Sequence, residues 1–161
     1  MRIRPARSED ATAIWAVIGP TIRAGETYAL DPDMPEAGAL AYWLGADRET
    51  FVAETEDGSV LGTYYLRPNA AGGGAHICNC GYMTRADAAG KGVAQAMCAH
   101  SLDHARGRGY RAMQFNFVVG TNARAVRLWE RMGFATVGRL PEAFRHPSLG
   151  YVDALVMLRA L

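Results

Sequence analysis

A glycine-rich turn, "AAGKGVAQAM" at residues 88–97, is the stretch of this sequence whose residue types most directly indicate chemistry. Gly90 and Gly92 flank Lys91, and small residues typical of a helix follow. Glycines let a backbone approach a ligand closely, and a helix start presents unpaired N–H groups, so the turn can hold a phosphate. Its spacing excludes the P-loop pattern GxxxxGKS/T, and Gln95 in place of a third glycine excludes GxGxxG. A plain strand-to-helix turn uses the same residues, so the loop alone does not decide its function.

Two asparagines interrupt apolar segments that have the pattern of buried strands. Asn79 lies in "AHICNCGYMT" and Asn116 lies in "AMQFNFVVG". A buried amide needs hydrogen-bond partners for both its donor and its acceptor. Either the two side chains satisfy backbone groups between the strands, or they recognise polar groups of a substrate.

The chain has 161 residues, of which 50% are hydrophobic and 20% charged, a balance typical of a folded globular protein. No linker, repeat or low-complexity tract divides it, so we expect a single domain over residues 1–161. The start, "MRIRPARSED", lacks the apolar core of a signal peptide, and no apolar run reaches the length of a membrane span. These features predict a cytoplasmic protein with no membrane partner.

Charge and cysteine content narrow the function classes. The formal net charge of +1 does not favour nucleic-acid binding. The first 80 residues carry 6 basic and 11 acidic side chains and the remainder carry 11 and 5, so an anionic ligand is expected at the second half. Cys78, Cys80 and Cys98 form no disulfide framework. Cys78 and Cys80, even with His76 nearby, are predicted to be core or cavity-lining residues, with no metal bound.

The secondary-structure patterns follow the order β-α-α-β-β-β-α-β-α-β-β. After the strand "MRIRPA", a helix is expected to end near Pro20, and a hairpin turns at Asp57-Gly58. The long helix after the glycine turn joins two buried strands as a right-handed parallel crossover. Asn122 begins the last helix and Gly133 ends it, before the strands "FATVGRL" and "YVDALVMLRAL" with "PEAFRHPSLG" as the loop between them. We expect an α+β (mixed α/β) fold with helices on both faces of a mostly antiparallel sheet.

The order of these motifs resembles the GNAT family of acyl-CoA-dependent N-acetyltransferases. That family has a Gln/Arg-x-x-Gly-x-Gly/Ala loop; Gly92, Val93 and Ala94 match its last three positions, and Ala89 stands where Gln or Arg is usual. "NARAVRLWERMGF" resembles the family's second marker, an asparagine-led helix that ends in an aromatic residue and Gly-Phe. The resemblance covers the chain from "IRPA" to "YVDALVM". It implies a GNAT-like sheet whose parallel strand pair, here "CNCGYMT" and "FNFVVG", is splayed.

The resemblance also implies a site for acetyl-CoA, the cosubstrate of the family. Backbone groups at the end of the first splayed strand are expected to pair with the pantetheine arm, and Gly81 suits a bulge there. The glycine turn is expected to hold the pyrophosphate, with Lys91 supplying charge because Ala89 cannot. Arg124 and Arg127 face either the nucleotide phosphates or solvent. The expected cofactor-binding residues are Met83, Thr84, Arg85, Lys91, Gly92, Val93, Ala94 and Asn122.

Direct transfer in a ternary complex is the reaction that the family implies. An amine attacks the thioester carbonyl, and the protein positions both reactants and polarises the carbonyl oxygen. The amine must first lose its proton to a base, directly or through water. We assign Glu26 to catalysis, on the loop where the family builds its acceptor sites, together with Asn79 and Asn116. The alternative bases are His76, Asp153 and His146.

The asparagine spacing is similar to that of a narrower branch, the fungal acetyltransferases that detoxify proline analogues such as azetidine-2-carboxylate. That likeness implies that Asn79 and Asn116 lie near the reaction centre and recognise a small amino-acid-like acceptor with a primary or secondary amine. Asn122 would then serve the CoA side. For this reason we favour substrate recognition over a purely structural role for the two strand asparagines.

Two other functions stay open at this stage: acetylation of a protein lysine or N-terminus, and a non-catalytic acyl-CoA-binding module. Trp129 leaves the second one open, because it stands where many family members carry the Tyr that protonates the departing thiolate. An indole N–H is a hydrogen-bond donor but a very poor acid. Family members often dimerise through their C-terminal strands, so a homodimer is also expected.

Overall fold

The computed structural model describes residues 1–161 and contains seven strands and four α-helices. In chain order they are β1 (Arg2–Pro5), α1 (Ala11–Ala24), α2 (Glu36–Trp43), β2 (Glu49–Glu54), β3 (Val60–Pro68), β4 (Ile77–Thr84), α3 (Val93–Gly107), β5 (Ala112–Val119), α4 (Ala123–Arg131), β6 (Ala135–His146) and β7 (Gly150–Ala160). The seven strands form one sheet in the order β1-β2-β3-β4-β5-β7-β6. Neighbouring strands are antiparallel except for the parallel pair β4–β5. The predicted mixed α/β fold is confirmed. None of the helices is long and apolar enough to cross a lipid bilayer.

Helices cover both faces of the sheet because its central strands are apolar on both sides. Side chains alternate along β3, so Tyr64 packs into the core beneath α3 and α4, whereas Tyr65 packs with α1 and α2. The core beneath α3 and α4 also contains the three cysteines, which are buried free thiols: Cys78, Cys80 and Cys98.

Helix α1 continues past Pro20, so the predicted end of this helix is wrong. Proline removes one backbone N–H from the helix, but Pro20 is exposed and the buried stripe goes on beyond it. Ile18 and Ile22 are fully buried on either side of the proline and hold the last turn against the sheet. The helix ends at Gly25, which has a φ of 65° and donates its N–H to the carbonyl of Ile22.

Strand β6 runs to His146, so most of the segment predicted as the loop "PEAFRHPSLG" belongs to the sheet. A register shift between Leu140 and Phe144 marks a bulge, where Glu142 has a φ of 50°. Pro141 ended the strand pattern in the sequence, but β6 is the edge strand, where a missing N–H leaves no neighbouring strand unpaired.

Strands β4 and β5 separate soon after they begin to pair. Their parallel register holds for only two residue pairs, Ile77–Ala112 and Cys78–Met113. Just beyond, the side-chain amide of Asn79 donates to the carbonyl of Gln114 at 2.9 Å and bridges the diverging strands. We call the space between residues 79–84 of β4 and residues 114–119 of β5 the fork.

Gly81 does not form the bulge that the sequence predicted at the fork. Strand β4 keeps an unbroken register with β3, and the bulge lies on β5 between Phe115 and Val118. The absence of a side chain at Gly81 instead makes room for Tyr65, because a Cβ there would lie 2.7 Å from the tyrosine ring. Trp43 packs edge-on against that ring with 4.9 Å between the centroids, which keeps the ring in place.

Gly81→Ala is expected to lower the free energy of unfolding by about 1–3 kcal/mol, because the added methyl group must displace the packed ring of Tyr65. Gly73→Ala is the matched control, since a Cβ at Gly73 meets nothing within 4 Å. Its effect is expected to stay within about 0.5 kcal/mol. Urea unfolding measures both values, and equal stability of the two variants would contradict this packing.

Candidate active site

Backbone groups of β4 point alternately toward its two neighbouring strands. The N–H groups of Asn69 and Arg85 donate to the carbonyls of Ile77 and Leu61, both at 2.8 Å. These bonds place the hydrogen-bonded β3–β4 pairs at the odd-numbered residues of β4. The N–H and C=O groups of the even-numbered residues therefore point toward β5.

At the fork, β5 lies too far from β4 to pair with those even-numbered residues. The N–H groups of Tyr82 and Thr84 consequently face the fork, and the carbonyl of Tyr82 accepts a hydrogen bond from the Tyr28 hydroxyl at 2.8 Å. Met83 and Arg85 point their backbone groups toward β3, so they are not placed to pair with a pantetheine arm. Of the three residues predicted for that pairing, only Thr84 presents its backbone, and Tyr82 joins it.

Two cavities meet at the fork. The front cavity, with a volume of about 350 Å³, lies beside the α1–α2 connection and is bounded by Tyr28, Tyr65 and Asn79 among others. The loop cavity, about 380 Å³, lies between the glycine turn at 90–95 and helix α4. The two cavities are contiguous, because both are lined by Tyr82, Thr84, Asn122, Ala125 and Trp129.

The glycine turn presents unpaired backbone N–H groups to the loop cavity. Gly90 and Gly92 have φ values of 83° and 78°, a left-handed conformation that glycine adopts without strain. The first helical hydrogen bond runs from Ala96 to the carbonyl of Gly92 at 3.0 Å. Four N–H groups before it have no acceptor within the protein and belong to cavity-lining residues: Gly92, Val93, Ala94 and Gln95. The turn therefore has the donor geometry of an anion site.

Lys91 lies outside the wall of the loop cavity. Its side chain is exposed and its N–H donates to the carbonyl of Ala88 at 3.3 Å. The cations in the wall are Arg124 and Arg131 of α4, and a Cβ at Gly90 would lie 3.7 Å from Nη2 of Arg124. The positive charges that line this cavity therefore come from helix α4, whereas the sequence analysis expected Lys91 there.

Asn122 caps α4 and lines both cavities. Its Oδ1 accepts a hydrogen bond from the N–H of Ala125 at 3.3 Å, which is an N-cap interaction. Its side-chain NH2 group has no partner within the protein. The structural and ligand-binding interpretations of this residue are thus compatible.

The two strand asparagines both line the front cavity but differ in environment. Asn79 is 7% exposed and spends its NH2 group on the carbonyl of Gln114. Asn116 is exposed, although it shares a face of β5 with Gln114 as the alternation predicted. It donates to Oδ1 of Asn69 at 2.6 Å and accepts from Nε2 of Gln114 at 2.9 Å. Asn79 therefore closes the base of the fork, and Asn116 lies at the mouth of the cavity.

No Asp, Glu or His side chain belongs to the wall of the front cavity. Glu26, assigned to catalysis from the sequence, is exposed and lies outside that wall, which Thr27 and Tyr28 form instead. Burial raises the pKa of Tyr28 and of Tyr82 well above the ordinary tyrosine range, so both keep their protons. The alternative bases also lie outside the wall: His76, His146 and Asp153.

Trp129 lies where the two cavities meet and belongs to an aromatic cluster. Its ring centroid is 5.1 Å from those of Tyr82 and Phe115. The Tyr82 hydroxyl is hydrogen-bonded to Oγ of Ser101 at 2.7 Å, within the core. Trp129 thus lines the junction of the two cavities, is held there by aromatic packing, and offers no acidic proton.

A model of the acetyltransferase (GNAT) family matches residues 15–134. The match includes β4, the glycine turn, the fork and α4. The chain therefore belongs to the GNAT family of acetyltransferases. The cosubstrate of this family is acetyl-CoA, so the predicted family and cosubstrate are both confirmed.

Individual relatives agree with this membership. A solved GCN5-related N-acetyltransferase from Kribbella flavida is 43% identical, with a TM-score of 0.94 over 99% of this chain and 97% of that one. The N-acetyltransferase aca1 of Schizosaccharomyces pombe is 36% identical over 99 residues, which are 61% of this chain and 47% of aca1. The chain thus spans about half the length of this curated relative. The acetyltransferase yncA of Salmonella typhimurium, solved with acetyl-CoA, is 22% identical to this chain. Its TM-score is 0.86 over 100% of this chain and 94% of yncA. At this identity the likeness shows the shared fold alone.

Arg124→Met is expected to weaken acetyl-CoA binding by about 10-fold or more, because a cation beside the anion site is lost. Arg127→Met on the same helix is the matched control, since Arg127 is exposed and outside the cavity wall. Lys91→Ala is expected to have a smaller effect than Arg124→Met. Isothermal titration calorimetry measures all three, and equal losses at Arg124 and Arg127 would contradict the geometry.

Trp129→Phe is expected to keep most of the turnover, because a phenyl ring preserves the aromatic packing and the lost indole N–H is too weak an acid to protonate the thiolate. The measurement is kcat at saturating substrates, with a thermal melt to verify folding. A large loss of kcat in a folded variant would show that the indole N–H takes part in the reaction.

Proposed function

We propose that this chain is an N-acetyltransferase that transfers the acetyl group of acetyl-CoA directly to a small amino-acid-like acceptor. The observation that carries the proposal is the meeting of two cavities at the fork, with the N–H groups of Tyr82 and Thr84 between them. A pyrophosphate suits the donors of the loop cavity, and an acceptor suits the polar and aromatic wall of the front cavity. The thioester carbonyl then meets the two N–H groups of β4.

The transfer needs no covalent intermediate on the protein. The neutral amine attacks the thioester carbon and forms a C–N bond, while a backbone N–H of Tyr82 or Thr84 stabilises the charge on the carbonyl oxygen. The C–S bond then breaks and CoA leaves as a thiolate. The ammonium proton passes to water, and the thiolate takes a proton from water. Positioning of the two reactants lowers the activation barrier further.

The front cavity favours a small acceptor over a protein. Its volume of about 350 Å³ is in the range of metabolite-binding pockets. The α1–α2 connection forms part of its wall through Thr27, Tyr28 and Leu30. A protein lysine or N-terminus would need an open groove for the residues on either side of it, and this connection narrows the approach.

The absence of an acid or imidazole from the cavity wall determines how the acceptor is deprotonated. No side chain in that wall can take up a proton near neutral pH. The reactive species is therefore the fraction of acceptor that is already neutral in solution, or that loses its proton to water in the cavity.

Release of free thiol from acetyl-CoA, measured with a panel of amino acids, amines and lysine peptides, tests the proposal. Turnover with small acceptors but not with peptides would support it. Turnover with peptides alone would instead indicate a protein acetyltransferase. Tight acetyl-CoA binding with no turnover would indicate a non-catalytic acyl-CoA-binding module.

The pH dependence of kcat/KM is expected to follow the acceptor. Below the pKa of the acceptor amine, the neutral fraction and therefore kcat/KM rise about 10-fold per pH unit, and above that pKa they level off. Two acceptors with different amine pKa values are expected to give midpoints that differ by the same amount. One midpoint shared by both acceptors would reveal a titrating group of the protein and contradict the account.

A further inference from the structure

Two arginines next to the front cavity, Arg48 and Arg67, share the carboxylate of Asp47. Asp47 accepts hydrogen bonds from Nε of Arg48 at 3.1 Å and from Nη1 of Arg67 at 3.2 Å. These are the ion pairs of both arginines, so the group carries an excess of one positive charge. Nη1 of Arg48 and Nε of Arg67 are buried and have no hydrogen-bond partner. A buried charged donor without an acceptor is unfavourable, so the group is electrostatically suited to one more anion.

Arg67 is the member of this group that reaches the front cavity. It is the only charged residue in the cavity wall. In the β3–β4 register it stands opposite Asn79, and residues directly opposite each other project from the same face of a sheet. Arg67 therefore lies beside the base of the fork, on the same face as Asn79.

The neighbouring aromatic residues hold this end of the cavity in place. The guanidinium of Arg48 lies 4.1 Å from the ring centroid of Tyr42 and 4.6 Å from that of Tyr65. Both rings belong to the cavity wall, and their hydroxyls are 3.4 Å apart. Stacking of Arg48 on two rings limits its movement and, through Asp47, that of Arg67. The positive end of the cavity is thus preorganised.

We infer that Arg67 binds the carboxylate of the acceptor, and that the acceptor is an amino or imino acid rather than a simple amine. The inference rests on the proposed function and specifies its substrate class. A carboxylate offers oxygen acceptors to the exposed guanidinium N–H groups of Arg67 that Asp47 leaves free. With its carboxylate held there, the acceptor places its amine toward the fork, where the thioester arrives. A lysine side chain of a protein has no carboxylate for this position.

Paired substrates provide the first test. Each amino or imino acid is compared with its own carboxamide, using thiol release from acetyl-CoA. The carboxamide group lowers the pKa of the neighbouring amine and supplies more neutral amine at a given pH, so chemistry alone favours the amide. A kcat/KM at least about 10-fold higher for the acid would run against that trend and support the inference. Equal use of acid and amide would overturn it.

Substitution of Arg67 provides the second test. Arg67→Met is expected to raise KM for the acid by about 10- to 100-fold with little change in kcat, and to leave the amide unaffected. Arg67→Lys, which keeps a positive charge, is expected to fall between Arg67→Met and the wild type. Arg106→Met is the matched control, because Arg106 is exposed on α3, lies outside the front cavity and forms its ion pair with Asp103.

The outcomes separate the two levels of the proposal. Equal losses for acid and amide in both Arg67 variants would overturn carboxylate binding but leave acetyl transfer intact. Acetyl-CoA binding without turnover of any acceptor, acid or amide, would overturn the proposed function and the inference with it. If Arg67→Met fails to fold, Arg67→Lys and the wild-type acid-to-amide ratio still decide the question.

Discussion

The architecture of the site depends on one constraint, which is that backbone polar groups released from a sheet must find other partners. Where β4 and β5 separate, the side chain of Asn79 bonds to the carbonyl of Gln114, and the Tyr28 hydroxyl bonds to the carbonyl of Tyr82. The N–H groups that β5 no longer meets face the space between the cavities. The separation that costs the sheet its hydrogen bonds therefore also creates the donors that can polarise a thioester.

The charged side chains that line the two cavities lie away from the junction of the cavities. Positive groups lie at the two far ends, in Arg124 and Arg131 beside the glycine turn and in Arg67 at the end of the front cavity. The junction between them, around Trp129, has no ionised side chain. In the proposed function, the anionic parts of both reactants lie away from the centre, and an uncharged centre favours the neutral amine that attacks.

The sequence predicts the order of the elements and the position of the glycine turn because both depend on local patterns. Asn122 as a helix cap is predictable for the same reason. The β5 bulge, which brings Val118 to the same face as Phe115, depends on contacts between distant strands and leaves no local signal. The orientation of α4, which brings Arg124 rather than Lys91 to the loop cavity, is likewise set by packing. Arg67 was missed because its signal, a buried donor with no acceptor, exists only in three dimensions.

A crystal structure of the protein with acetyl-CoA would show whether the thioester lies in the fork. We expect the thioester oxygen within hydrogen-bond distance of the backbone N–H of Tyr82 or Thr84, and the pyrophosphate on the N–H groups of residues 92–95. A thioester bound away from the fork would contradict this expectation. So would a structure in which both N–H groups are paired within the protein while acetyl-CoA is bound.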